Sequence, residues 1–218
     1  MYVFLRPDIN FHIAVCIITV KTCAKDGAIS MQHIISTKDL IAKSFLELSE
    51  LKSVDKITVK DIAANCGITK TTFYNHFCDK YDLMMWIYME PVKNIVFRIN
   101  DTGYTLRRAI SDNLHYFADN RKYLVNALKN TLGHDSFISR ASEINFTLLR
   151  DFIKSSHGID TLSVRTETLI KLYACGTVCL ECDWLINNMP ISIETLAEIL
   201  EAGLPEELKP YLYESPKT

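Results

Sequence analysis

A chain of 218 residues, 48% apolar and 23% charged, can bury a core of ordinary size, which excludes disordered, collagen-like and low-complexity classes. The formal net charge of −2 leaves no global basic field, so any grip on nucleic acid must come from a local surface. Seven cysteines, an odd set without regular spacing, argue against a disulfide-stapled secreted domain and fit a reducing cytoplasm.

In chain order, the first segment with character is the apolar run from Phe11 to Val20, too short to span a membrane. Only Arg6 precedes it, partly offset by Asp8, and no small-residue cleavage pattern follows before Lys21 and Lys25, so it makes a poor signal peptide. Met31 stands just ahead of the first helical pattern, and residues 1–30 read as a loosely attached or disordered extension. From Thr37 onward apolar residues recur at three- and four-residue steps, the mark of an all-α protein. Ile41, Phe45, Leu48 and Lys52 share one stripe of the first helix, with Thr37 as its N-cap and an end near Lys52.

Thr58 opens the next helix, with Asp61 placed to complete a capping box and Val59, Ile62, Ala63 and Cys66 facing inward. Gly67 can take the left-handed conformation that ends a helix, and Thr69 caps the helix that follows. Phe73 and Phe77, at i and i+4, form the core face of that helix and leave Lys70, Thr71, Tyr74, Asn75 and His76 outward. Helix, glycine turn, helix is the arrangement that lays a second helix in the major groove of double-stranded DNA while the first braces it. The helix starts at Thr58 and Thr69 can face phosphates, and Lys70 and Lys80 add local positive charge. Thr71 and Thr72 can touch a thymine methyl or a base edge, and Asn75 can pair with adenine. Asp79 opens a fourth helix, with Asp82 in capping-box position, and Pro91 is expected to kink it or end it at Glu90.

The stretch Ile57 to Leu83, ITVKDIAANCGITKTTFYNHFCDKYDL, resembles the DNA-binding signature of TetR-type transcription regulators. Thr58, Ile62, Ala63, Gly67, Thr69, Tyr74, His76, Phe77 and Lys80 fit the family pattern, whereas Cys66 stands where the family usually has alanine. The resemblance implies phosphate contacts by Tyr74, His76 and Lys80. It extends weakly to Gly176, Trp184, Asn188, Ser192, Glu194 and Leu196, which are similar to a Firmicutes branch that includes coactivators from dihydroxyacetone-kinase operons. That likeness implies a homodimer formed through the last two long helices, with Gly176, Trp184 and Leu196 at the seam.

Further helices are expected from Leu106 to Ala118, Arg121 to Leu132, Asp135 to His157, Leu162 to Asn188 and Ser192 to Ala202. The fold is therefore read as all-α: a three-helix helix-turn-helix domain over 31–90, a helical effector-binding and dimerisation bundle over 91–204, and a tail over 205–218. His115, Tyr116, Tyr123 and Asn126 are candidates to line an effector cavity, although aromatics at helical spacing are more often core. Cys175, Cys179 and Cys182 fall at i, i+4 and i+7, where small-hydrophobe packing is the default and a thiol or metal sensor, completed by His134 or His157, the alternative. No phosphate loop, nucleophile elbow or zinc-protease motif is present, so an enzyme is not expected, nor any cofactor, resident metal or membrane partner. Two readings remain for the C-terminal region: a small-molecule effector site, or a surface that docks a second protein.

Overall fold

In a computed structural model, described over residues 36–99, 101–132 and 136–213, Ser36 rather than Thr37 caps the first helix. The Ser36 side chain accepts from the Asp39 amide and Asp39 answers with the Ser36 amide, so the box closes one residue earlier than the Thr37 reading. The expectation for residues 1–30 lies outside the described residues. Helix α1 (Thr37–Leu51) is followed by a 3₁₀ turn (Val54–Lys56), α2 (Val59–Asn65) and α3 (Lys70–Tyr74). Then come α4 (Lys80–Val96), α5 (Leu106–Asp119), α6 (Arg121–Lys129), α7 (Phe137–His157), α8 (Val164–Ile186) and α9 (Ile193–Ala202). No strand occurs among the described residues, and none of their helices is long and apolar enough to cross a membrane.

Of the kink or stop expected at Pro91, the stop at Glu90 does not occur, because α4 runs through Pro91 to Val96. Proline removes the amide that would serve the carbonyl four residues back, here that of Ile87. The Tyr116 hydroxyl, on α5, donates to that carbonyl at 3.1 Å, so a neighbouring helix satisfies what proline leaves open. Within 205–218, read from sequence as a tail, the chain is helical from Glu206 to Tyr213. A 3₁₀ turn (Glu206–Leu208) and α10 (Lys209–Tyr213) sink Leu208 and Leu212 into the core.

One hydrophobic core runs from Ile41 and Phe45 through Leu83, Tyr88 and Leu114 to Phe152, Val178 and Leu200. α4 and α8 both pack on α7, and α9 packs on α5. Between α4, α5, α6, α7 and α8 lies a void of about 10 Å³, room for about one water molecule. Tyr88, Phe117, Leu124, Phe137, Glu181 and Cys182 are among the residues that bound it.

Candidate nucleic-acid interface

The turn between α2 and α3 is built as the sequence implies. Thr58 accepts from the Asp61 amide and Asp61 from the Thr58 amide, closing the capping box. Lys52 reaches Asp61 at 2.8 Å, and together with the Thr58 amide it holds the Asp61 carboxyl down at a pKa of about 2. Gly67 sits at φ +71°, and the Ile68 amide returns to the Ala63 carbonyl at 2.9 Å, the main-chain signature of a left-handed helix end. Thr69 caps α3 by accepting from the Thr72 amide at 3.0 Å.

Ile62, Phe73 and Phe77 anchor the pair of helices in the core, and Ser44 on α1 donates to the Ile62 carbonyl at 2.9 Å. The opposite face of α3 carries Lys70 and Tyr74 one helical turn apart and, beside them, Thr71 and Asn75 at the same interval, all exposed. Tyr74 is 56% exposed, its ring edge-on to Phe73. Thr72 and His76 are half-buried at the margins. Thr72 also shares a hydroxyl hydrogen bond with Thr69 at 2.9 Å, which ties both to the cap.

Lys80 departs from the role that the motif implies. Its ammonium donates to the carbonyls of Val54, Asp55 and Ile57 at 2.9, 2.7 and 2.8 Å, so all three of its donors are committed to the 3₁₀ turn ahead of α2. Partial burial lowers its pKa. Lys80 therefore braces the turn ahead of α2 from within, and Lys70 is a cation that α3 itself exposes. Sequence reasoning passed over two other lysines. Lys60 is exposed in the first turn of α2, and Lys38 lies over the rings of Phe77 and Trp86 at 5.4 and 5.7 Å, beside the end of the recognition segment. Only their place in the fold brings them to this surface.

The four residues considered for an effector cavity are not brought together, and none of them bounds the void. His115 is exposed, its Nδ1 at 2.8 Å from the Ser111 carbonyl oxygen. Tyr116 serves Ile87, and Tyr123 donates to the Met84 carbonyl at 3.0 Å. Burial raises both phenols, that of Tyr116 to about 12. Asn126 bonds the end of α1. An ionisable group that does border the void is Glu181, buried on α8. Asn113 donates to its Oε1 at 3.0 Å, while Oε2 has no hydrogen-bond partner among the described residues, and burial pushes its pKa up to about 8.

Of the residues proposed for a seam, only Gly176 is exposed. Trp184 is buried and donates to the Ile191 carbonyl at 2.9 Å, holding the α8–α9 turn, and Leu196 is in the core. Both face inward because α9 must bury an apolar stripe against this same chain. The outer surface of α8 and α9 instead carries Leu172, Leu180 and Ile199, exposed by 66%, 48% and 50%. The three cysteines of α8 point to different surroundings: Cys182 is buried with its thiol pushed up, Cys175 is half-buried and Cys179 is exposed. Among the described residues no three His, Cys, Asp or Glu side chains gather to hold a metal.

Comparison with known proteins agrees with this architecture. Residues 46–85 match the family model for bacterial regulatory proteins of the tetR family, and residues 105–204 match a transcriptional regulator C-terminal region of TetR type. The HTH-type dhaKLM operon transcriptional activator DhaS of Lactococcus lactis subsp. lactis (strain IL1403) is 31% identical over 68 residues, 31% of this chain. That match spans only 36% of the length of the relative. Among solved structures, the dihydroxyacetone kinase operon activator DhaS superposes with a TM-score of 0.53 at 22% identity, over 79% of this chain and 96% of that one. The TetR family repressor AlkX from Dietzia sp. strain DQ12-45-1b gives a TM-score of 0.45 at 18% identity, over 82% of this chain and 98% of that one. With helix-turn-helix and C-terminal region both matched, the chain belongs to the TetR family of transcriptional regulators.

Proposed function

We propose that this regulator is a cytoplasmic homodimer that binds a double-stranded DNA operator through residues up to about position 90 and is controlled through the rest of the chain. The observation that carries this reading is the outer face of α3, where Lys70, Thr71, Tyr74 and Asn75 are exposed while Phe73 and Phe77 do the anchoring. Lys70, Tyr74, His76 and the threonine caps Thr58 and Thr69 contact phosphates, and Thr71, Thr72 and Asn75 read base edges. Two copies pair through the outer face of α8 and α9. Leu172 and Leu180 on α8 and Ile199 on α9 are large apolar side chains left exposed, and a second copy can cover them. Control requires only that a ligand or partner prefer one of two spacings of the recognition helices.

The occupant that the interior supports best is a second protein on the surface. The void bounded by Tyr88, Phe117 and Glu181 has room for about one water molecule and not for a metabolite, which supports that reading. The test is fluorescence anisotropy with duplex from the DNA upstream of the chain's own coding sequence, against an unrelated duplex. Wild type should discriminate between them, and Tyr74→Ala should bind neither well. A folded dimer that binds both duplexes equally would remove the proposal. Sedimentation of Leu172→Glu tests the seam and should give a folded monomer.

A further inference from the structure

The junction between α1 and α2 is clamped from two sides. Asn126, on α6, donates its amide nitrogen to the carbonyls of Ser49 and Lys52 at 2.8 and 3.0 Å, and its amide oxygen accepts from the Val54 amide at 3.0 Å. The two carbonyls close the last turn of α1, where a helix has no partners of its own. Asn130, one helical turn further, donates to the same Asn126 oxygen at 2.9 Å and fixes the orientation of the amide. From the other side Lys80 holds Val54, Asp55 and Ile57, and the Lys52–Asp61 ion pair links the junction to the first turn of α2. α6 is in turn tied to the end of α8. Arg121 donates to the Leu185 carbonyl at 3.1 Å and to the Asn188 side chain at 2.6 Å.

We infer that Asn126 is a positioning residue for DNA binding: its amide fixes where α1 ends and α2 begins, and so sets the pose of α3. The inference rests on the DNA-binding reading above. It gives α6 a defined task, since a displacement at the α8 end carries through Arg121 and Asn126 to the brace of the recognition helix. Only an amide supplies both donors and an acceptor at one planar group; aspartate lacks the donors, and leucine keeps only the shape.

The test uses Asn126→Leu in the full chain, with affinities for the upstream duplex and for an unrelated duplex of equal length, and deuterium exchange of the segment 48–62. The upstream duplex should be bound about tenfold more weakly and the unrelated one within about twofold, so that discrimination collapses. Exchange over 48–62 should rise while α8 stays protected. A residue of merely structural importance would reduce the active fraction alike for both duplexes and leave their ratio unchanged. Asn130→Ala keeps Asn126 but frees its oxygen, and should show a smaller loss in the same direction even if the leucine variant folds poorly. An unchanged ratio and unchanged exchange in both variants would overturn the inference. A wild type that does not discriminate the duplexes overturns the DNA-binding reading instead, and the exchange of 48–62 still decides whether Asn126 holds the junction.

Discussion

The Tyr116 hydroxyl donates to the Ile87 carbonyl at 3.1 Å, the one acceptor of α4 that Pro91 deprives of its helical amide. The bond explains how a proline sits in the middle of a 17-residue helix and why a tyrosine occupies that place on α5. Tyr116→Phe should lower stability by about 1–2 kcal/mol, since a buried carbonyl is left unpaired. In a Pro91→Ala background, where the amide returns, the same substitution should cost distinctly less. Urea unfolding of the four proteins of this double-mutant cycle measures the difference, and equal costs in both backgrounds would refute the link.

Glu181 should make stability fall as pH rises. Its carboxyl is buried and titrates at about 8 in the folded chain against an ordinary 4.5, so between these values the folded state holds a proton that the unfolded state has released. The contribution is complete below about pH 4.5, declines by ~1.4 kcal/mol per pH unit, and is lost above about pH 8. Glu181→Gln, which cannot ionise, should remove that slope from a series of urea midpoints across this range. A variant with the same pH profile as wild type would show that Glu181 is not the group responsible.

Lys70 and Lys80 should differ in kind. Lys70→Ala removes one outer cation from each protomer and should lower the slope of log K against log salt by about 0.9 per protomer, about 1.8 for the dimer, with stability unchanged within ~0.5 kcal/mol. Lys80→Met breaks three bonds to carbonyls and should cost about 1–3 kcal/mol of stability, with the salt slope of the protein that remains folded nearly unaltered. Salt titrations of duplex binding beside thermal unfolding separate the two effects. A salt slope lowered by Lys80→Met as much as by Lys70→Ala would return Lys80 to the phosphates.

Gly67 carries a conformational load only. A Cβ added there would meet nothing within 4 Å, yet φ is +71°. Gly67→Ala should therefore destabilise by about 1–2 kcal/mol through backbone strain alone. Gly67→Asn should recover part of that loss, because asparagine tolerates the left-handed region. Differential scanning calorimetry of the two variants checks the order.

The Thr58–Asp61 capping box, the glycine turn and the inward pair Phe73 and Phe77 were legible in the sequence because each is decided within a few residues, whereas the first helix is capped by Ser36 and not Thr37, and Asp82 accepts from the Cys78 amide and closes no box with Asp79. Thr58 needs only Asp61, and Thr69 only the amide of Thr72. Composition and the three- to four-residue period likewise determined the all-α class and most helix limits. Tertiary structure decided whatever depended on a partner far along the chain. Tyr116, Tyr123 and Asn126 looked like the polar lining of a cavity, since a sequence does not show which main-chain groups lack a partner. In the fold each of them bonds a carbonyl 29 to 77 positions away. The same ignorance of partners left a stop at Pro91 open beside a kink, put the buried Trp184 and Leu196 at a seam, and gave phosphates a Lys80 whose three donors serve main-chain carbonyls. Local hydrogen bonds are written in the spacing of residues, whereas the use of a long side chain is settled only when packing brings a vacant donor or acceptor within its reach.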